Sequence, residues 1–267
     1  MDQTNDKAAT RGNPSFVWRA GQERRFQLVR QHIDLHGKAI LDVGCGVGMY
    51  TNAFSRHTPH VYGVEIESER AQEARDRARA VMQAVGESLP FASQSFDVTF
   101  SHEVLEHVAD DRRCAREMVR VTRPGGHIVI FVPNRLYIFE THGIYWHGRY
   151  HFGNKPLVNW LPDPLRDRLA PHVRAYTAAD LRRLFRDLPA RARVHTQIYP
   201  GYDNIVARRP RLGQLLRWLT YELERTPLRR FGLSHFLVLD VLERRSEWDS
   251  DPSDCQSNLL SPGDTNA

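Results

Sequence analysis

Apolar positions along this chain fall into two spacings. Phe26, Val29 and Ile33 recur at helical intervals and predict an amphipathic helix over 23–33. A short, nearly uninterrupted run follows, Ile40-Leu41-Asp42-Val43, of the kind that forms a strand buried on both faces. Comparable runs at 60–65, 81–85, 95–101, 127–132, 192–198 and 234–242 predict six more strands. Helices are expected between them at 49–57, 68–79, 110–122 and 177–187. Ser68 is placed to cap the second of these, Asp110 and Asp111 sit at the positive end of the third, and Thr177-Ala178-Ala179-Asp180 reads as a capping box with Asp in place of Glu. Strands alternating with helices predict an α/β fold with a doubly wound seven-stranded sheet.

Two stretches break this rhythm. Over 135–174, aromatics and histidines interleave without helical or strand period, and Pro156, Pro162, Pro164 and Pro171 interrupt the remainder. So long an irregular segment after the fifth strand is expected to act as a cap over the sheet edge. A second insertion, 199–230, carries Leu212, Leu215, Leu216, Trp218, Leu219 and Leu223 on one helix, among many arginines. Packing of that stripe on the domain is the expectation, with contact to an anionic membrane surface as the alternative. The polar start, 1–14, and the acidic end, 246–267, are expected to be flexible tails around a domain at 15–245 with its core at 37–134.

Composition narrows the class. At 267 residues, with 41% hydrophobic and 26% charged residues, the chain suits one globular unit with elaborations. Its net charge of +5 comes largely from arginine, and no aromatic-and-basic module for nucleic acid is apparent. Cys45, Cys114 and Cys255 are scattered, with no C-x-x-C pair, which argues against a disulfide framework or a structural zinc site and for a reducing cytoplasm. No apolar run approaches the roughly 20 residues of a membrane span.

The candidate chemistry centres on the end of the first strand. Asp42 is followed by Gly44-Cys45-Gly46-Val47-Gly48 and then by a helix start, the layout of a nucleotide site at the carboxyl edge of a parallel sheet. A dinucleotide fingerprint needs a glycine where this chain has Met49, which disfavours a nicotinamide oxidoreductase. Glu65, ending the second strand about 20 residues later, is suited to accept both hydroxyl hydrogens of a ribose. Ile66 is suited to press on an adenine face. Cys45 reads as a small structural residue of the loop.

These glycines, with Asp42 ahead of them, resemble motif I of the class I S-adenosylmethionine-dependent methyltransferases. Gly86-Glu87-Ser88-Leu89-Pro90-Phe91 resembles the adenine loop of that family. Val85 stands where the family carries Asp, leaving the Gly86 or Glu87 N–H, or the Glu87 side chain, to meet the ring. The series Leu89-Pro90-Phe91, Phe96-Asp97 and Glu103-Val104-Leu105-Glu106-His107-Val108 is similar to type 11 methyltransferase domains. The resemblance covers about half the chain. It implies a Rossmann-like fold, S-adenosyl-L-methionine as cofactor, and Ser101 and His102 near the reacting methyl group.

Methyl transfer to a hydroxyl or ammonium requires loss of a proton. His107, His142 and His147 are the candidate bases, although His107 also fits a purely structural place. His142, His147 and His151 are not fixed on one face by their spacing, so no metal is expected. The aromatic cap suits a small-molecule or lipid-like acceptor. The alternative function is a non-catalytic regulatory protein that binds an adenosyl compound, a reading favoured by Val85.

Overall fold

The computed structural model describes residues 18–243; the tails expected at 1–14 and 246–267 lie outside them. Its centre is a seven-stranded sheet in the order β10-β11-β5-β4-β1-β2-β3. The strands are β1 (Ile40–Val43), β2 (Val61–Glu65), β3 (Ala80–Gln83), β4 (Phe96–His102), β5 (Thr122–Pro133), β10 (Ala190–Ile198) and β11 (Ser234–Val241). β1 pairs in parallel with both β2 and β4, so the strand order reverses beside β1 and opens a crevice at its carboxyl end. Only β11 runs against its neighbours, antiparallel to both β5 and β10.

The apolar runs lack alternation because both faces of the sheet are covered. Along β5, Ile128, Ile130 and Val132 enter one core with Leu41, Val43, Leu105 and Met118. Val129 and Phe131 enter the other with Phe26, Phe54, Phe100 and Phe236. The first core is covered by α4 (Asp111–Val121) and α6 (Ala178–Leu184), the second by α1 (Ala20–His32) and α2 (Met49–Ser55). Among the described residues no helix is long and apolar enough to cross a membrane.

Several expectations shift. Ser68 is the first residue of α3 (Ser68–Ala74), not its cap; Glu67 precedes it in extended backbone, and the helix ends early in a 3-10 turn at Arg75–Arg77. The capping box is present: Asp180 N donates to Thr177 Oγ1 at 3.2 Å, and Thr177 N to Asp180 Oδ2 at 2.9 Å.

The segment after β5 is not irregular. It holds two antiparallel ribbons, β6 (Phe139–Glu140) with β9 (Lys155–Pro156) and β7 (Ile144–Trp146) with β8 (Arg149–His151), then α5 (Asp163–Leu169). β7 and β8 are joined by His147-Gly148, with φ of 46° and 73°, the signature of a tight hairpin turn whose twist matches the strands. The second insertion forms α7 (Asp203–Arg208) and α8 (Pro210–Leu223). Its apolar stripe packs only in part: Leu216 and Leu223 are half-buried and Gly213 meets α7 at Val206, while Leu212, Leu215, Trp218 and Leu219 are exposed.

Candidate active site

The glycine loop crosses the end of β1 in left-handed backbone, with φ of 73° at Gly44, 54° at Gly46 and 81° at Gly48. A Cβ at Gly44 would lie 2.3 Å from Val104 Cγ2, so glycine here lets the Glu103-to-His107 segment close over the loop. Cys45 turns its thiol under the sheet, where a Cβ on Gly63 would meet it at 2.8 Å. Burial pushes that thiol's pKa well up, so it stays protonated and inert.

Glu65 is buried at the end of β2. Its Oε2 accepts from Gly46 N at 2.9 Å and its Oε1 from Glu67 N at 3.0 Å. Each oxygen keeps a further lone pair, so the carboxylate braces the loop and still has capacity for ligand hydroxyls. Ile66 beside it is 43% exposed. Asp42, under the loop, accepts from Thr51 Oγ1 at 2.8 Å. Burial, reinforced by nearby Glu65 against the Thr51 hydrogen bond, raises its pKa to about 7.

In the adenine-type loop, a Cβ on Gly86 would meet Cys114 Sγ at 2.8 Å. Glu87 has structural work: its Oε1 accepts from Ala109 N at 2.7 Å and Asp110 N at 3.3 Å, ahead of α4. The side-chain substitution considered for Val85 is therefore drawn toward a helix start.

At the end of β4, Ser101 Oγ and His102 Nε2 are buried with no hydrogen-bond partner among the described residues. Tyr50 OH and Arg25 Nε share that condition. These groups adjoin one another: the Tyr50 and His102 rings are 4.9 Å apart, and the Arg25 guanidinium lies 6.0 Å from the Phe131 ring. Trp18 meets Tyr50 edge-on at 5.2 Å. Buried polar atoms left without partners are costly, and here they gather at the end of β4, where Ser101 lies beside Val43 at the end of β1. Helix α1 packs Phe26 and Val29 into the core and carries Arg25 to the Phe131 ring of β5.

A second cluster lies next to this crevice. His107 and His142 rings are 5.2 Å apart at 77°. His142 Nδ1 lies 3.1 Å from Glu140 Oε1, and Glu140 Oε2 accepts from Arg166 Nη2 at 2.9 Å. Burial, with nearby His142, lowers the His107 pKa to about 3. Against burial, the Glu140 bond and charge raise that of His142. Buried Glu106 stands beside both, its pKa raised by burial to about 8. His147 does not join them; it sits at the exposed tip of the β7–β8 turn, its ring on Trp146 at 5.0 Å.

Sequence reasoning singles out His107 and His142 but not Glu106, Arg25, Tyr50 or the Glu140–Arg166 pair. Glu106 and Glu140 each have a signal, adjacency to a chosen histidine. Arg166, 26 residues from its partner, has none. A cavity of about 1040 Å³ opens beside Glu106 and His107 and is lined by Arg135, Arg166, His172 and Arg174. No glycine-loop residue borders it.

Residues 41–130 match the family model for a methyltransferase domain, type 11. The likeness to that family lies in this stretch, from the glycine loop through β5. That class uses S-adenosyl-L-methionine, and the orphaned polar atoms, left-handed glycines and Glu65 carboxylate fit such a group. Over 97 residues the chain is 46% identical to an uncharacterized methyltransferase of Mycobacterium sp. (strain JLS), covering 35% of this chain and 38% of that protein. Over 117 residues it is 32% identical to a ubiquinone biosynthesis O-methyltransferase of Coxiella burnetii (strain Dugway 5J108-111), covering 42% and 50%. The chain thus spans half or less of these relatives' lengths. A solved S-adenosylmethionine-dependent methyltransferase of Mesorhizobium loti aligns over 83% of this chain and 97% of its own, with a TM-score of 0.56 and 20% identity. The [4+2]-cyclase SpnF aligns over 91% and 93%, at 0.57 and 15%. The fold is accordingly shared by chains of more than one activity.

Proposed function

We propose that this protein transfers a methyl group from S-adenosyl-L-methionine to a small-molecule or lipid-like acceptor. The observation that carries the reading is Glu65, which ends β2 with both carboxylate oxygens braced on backbone N–H groups, one of them in the glycine loop. Glu65 would hold the ribose, Gly44, Gly46 and Gly48 would let the ligand lie on the backbone, and Gly86 and Ile66 would border the adenine. Ser101, His102 and Tyr50 would line the reacting end. The bound cofactor supplies a methyl carbon already activated by its sulfonium. The chain's own part is to orient the acceptor and exclude water, which can supply several kcal/mol.

The ubiquinone biosynthesis relative supports an oxygen acceptor of modest size. The exposed apolar face of α8, with Arg211 beside it, supports the lipid-like branch, in which the acceptor is met at an anionic surface. A second reading, an adenosyl-binding protein that transfers no methyl group, is favoured by Val85, which stands where the resembled family carries Asp.

Calorimetric titration with S-adenosylmethionine, S-adenosylhomocysteine and NAD tests the cofactor, and labelled methyl donor tests turnover. Binding of both adenosyl compounds but not NAD is expected. Glu65→Ala should weaken S-adenosylhomocysteine binding roughly 10- to 100-fold, the worth of hydrogen bonds to a charged acceptor. Unchanged affinity in a folded variant would remove Glu65 from the site. Cofactor binding without turnover on any acceptor would favour the second reading.

A further inference from the structure

We propose that Glu106, His107 and His142 bind a single divalent transition-metal ion. Their ligating atoms all lie within 4.8 Å of one another. The three are brought together by the fold rather than by sequence, since His142 comes from the cap and the other two follow β4.

Each member has a free electron pair and a reason to use it. Glu106 is 1% exposed, and neither of its oxygens has a hydrogen-bond partner among the described residues. A carboxylate buried in that state is costly unless a cation or a proton compensates it. His107 Nδ1 is likewise buried with no partner among the described residues. His142 is built as a metal ligand would be: its Nδ1 faces Glu140, which fixes the tautomer and leaves Nε2 as the acceptor. Arg166, 3% exposed, holds Glu140 from behind. The carboxylate–imidazole pairing that orients metal-bound histidines is therefore already present.

The donor set selects the class of ion. Two imidazoles and one carboxylate suit zinc, manganese, iron or cobalt better than magnesium or calcium, which prefer all-oxygen surroundings. Bonds of about 2.0–2.1 Å require ligand atoms about 3.4 Å apart, so binding draws the His142 ring toward the β4 edge. The three side chains leave coordination positions for a ligand from the adjoining cavity. Only this last role rests on the proposed methyl transfer. Coordination lowers the pKa of an acceptor hydroxyl, whose proton passes to solvent, and so replaces a side-chain base.

The test uses the full chain, stripped with chelator and titrated calorimetrically with Zn²⁺, Mn²⁺ and Mg²⁺ without cofactor. One equivalent of Zn²⁺ or Mn²⁺ should bind, with Mg²⁺ weaker. Glu106→Gln and His142→Ala should each weaken Zn²⁺ binding by roughly 10-fold or more. His151→Ala, on the exposed β8 strand, should not. S-adenosylhomocysteine titration of each variant reports folding independently. No ion binding by the wild type, or Zn²⁺ affinity unmoved in both site variants, overturns the site. Loss on His151→Ala alone would assign the ion to the surface. Absence of adenosyl binding in a wild type that still binds one ion would sink the methyl-transfer reading and leave the metal site standing.

Discussion

Arg166 carries a full charge with 3% of its surface exposed, and it does so because Glu140 lies 2.9 Å away while Val173 O accepts from Nη1 and Asn159 Oδ1 from Nε. Removing one partner of such a pair leaves the other buried and uncompensated, which costs far more than the pair itself contributes. Glu140→Gln should therefore destabilise the protein by about 3–5 kcal/mol. Urea denaturation measures this, and a loss under about 1 kcal/mol would mean that water reaches Arg166. At this scale the sequence was informative wherever chemistry and position coincide. Glu65 is legible because an acid must end a strand at a set distance from a glycine loop. Arg166 is not, since nothing local separates a buried arginine from the many on the surface. Glu87, an acid beside the expected site, also serves the Ala109 and Asp110 N–H groups, which its sequence position does not announce.

Among the elements, the strands of the sheet were legible because each is a short apolar run buried on both faces. The ribbons of the cap were not, as their strands are only two or three residues long, too short to display alternation. The one local clue was His147-Gly148, a pair able to take positive φ at both turn positions. Two glycines now separate backbone strain from crowding. Gly148 has φ 73° with nothing within 4 Å of an added Cβ, whereas Gly143 has φ 81° and such a Cβ would lie 2.6 Å from His151 O. Gly148→Ala should cost only about 1–2 kcal/mol of left-handed strain. Gly143→Ala should cost more and separate β7 from β8, seen as faster amide exchange at Ile144 and His151. Equal exchange in the two variants would contradict this. For α8 the periodicity was read correctly but only part of the stripe packs, since an amphipathic pattern says which face is apolar and never how much of it is covered.

For the molecule as a whole, buried titratable groups set opposing slopes of stability against pH. Asp42 and Glu106 have pKa values raised to about 7 and about 8, chiefly by burial. The folded chain keeps these protons after the unfolded chain has lost them, so both groups cost stability as pH rises from the ordinary carboxylate range through their folded values. His102, His107 and His235 are lowered to about 4, 3 and 4, again chiefly by burial. They stay neutral while unfolded imidazoles protonate below about 6.5, so these three cost stability as pH falls through that range. Stability of the metal-free protein should thus peak near pH 6.5, and urea midpoints across pH 5–8.5 measure it. A midpoint still rising at pH 8.5 would show that the two carboxyl groups are not protonated in the folded chain.

The antiparallel placement of β11 has a consequence for how the chain is made. Synthesis proceeds from the amino end, yet the strand between β5 and β10 is the last element of the described chain to be produced. Until residues 234–241 leave the ribosome, β5 presents a bare edge and the core around Phe131 lacks Phe236 and Val238. The cap and the second insertion must therefore be held, fully synthesised, beside an unfinished sheet. A nascent chain arrested before Ser234 would be a ready client for chaperones that recognise open strand edges.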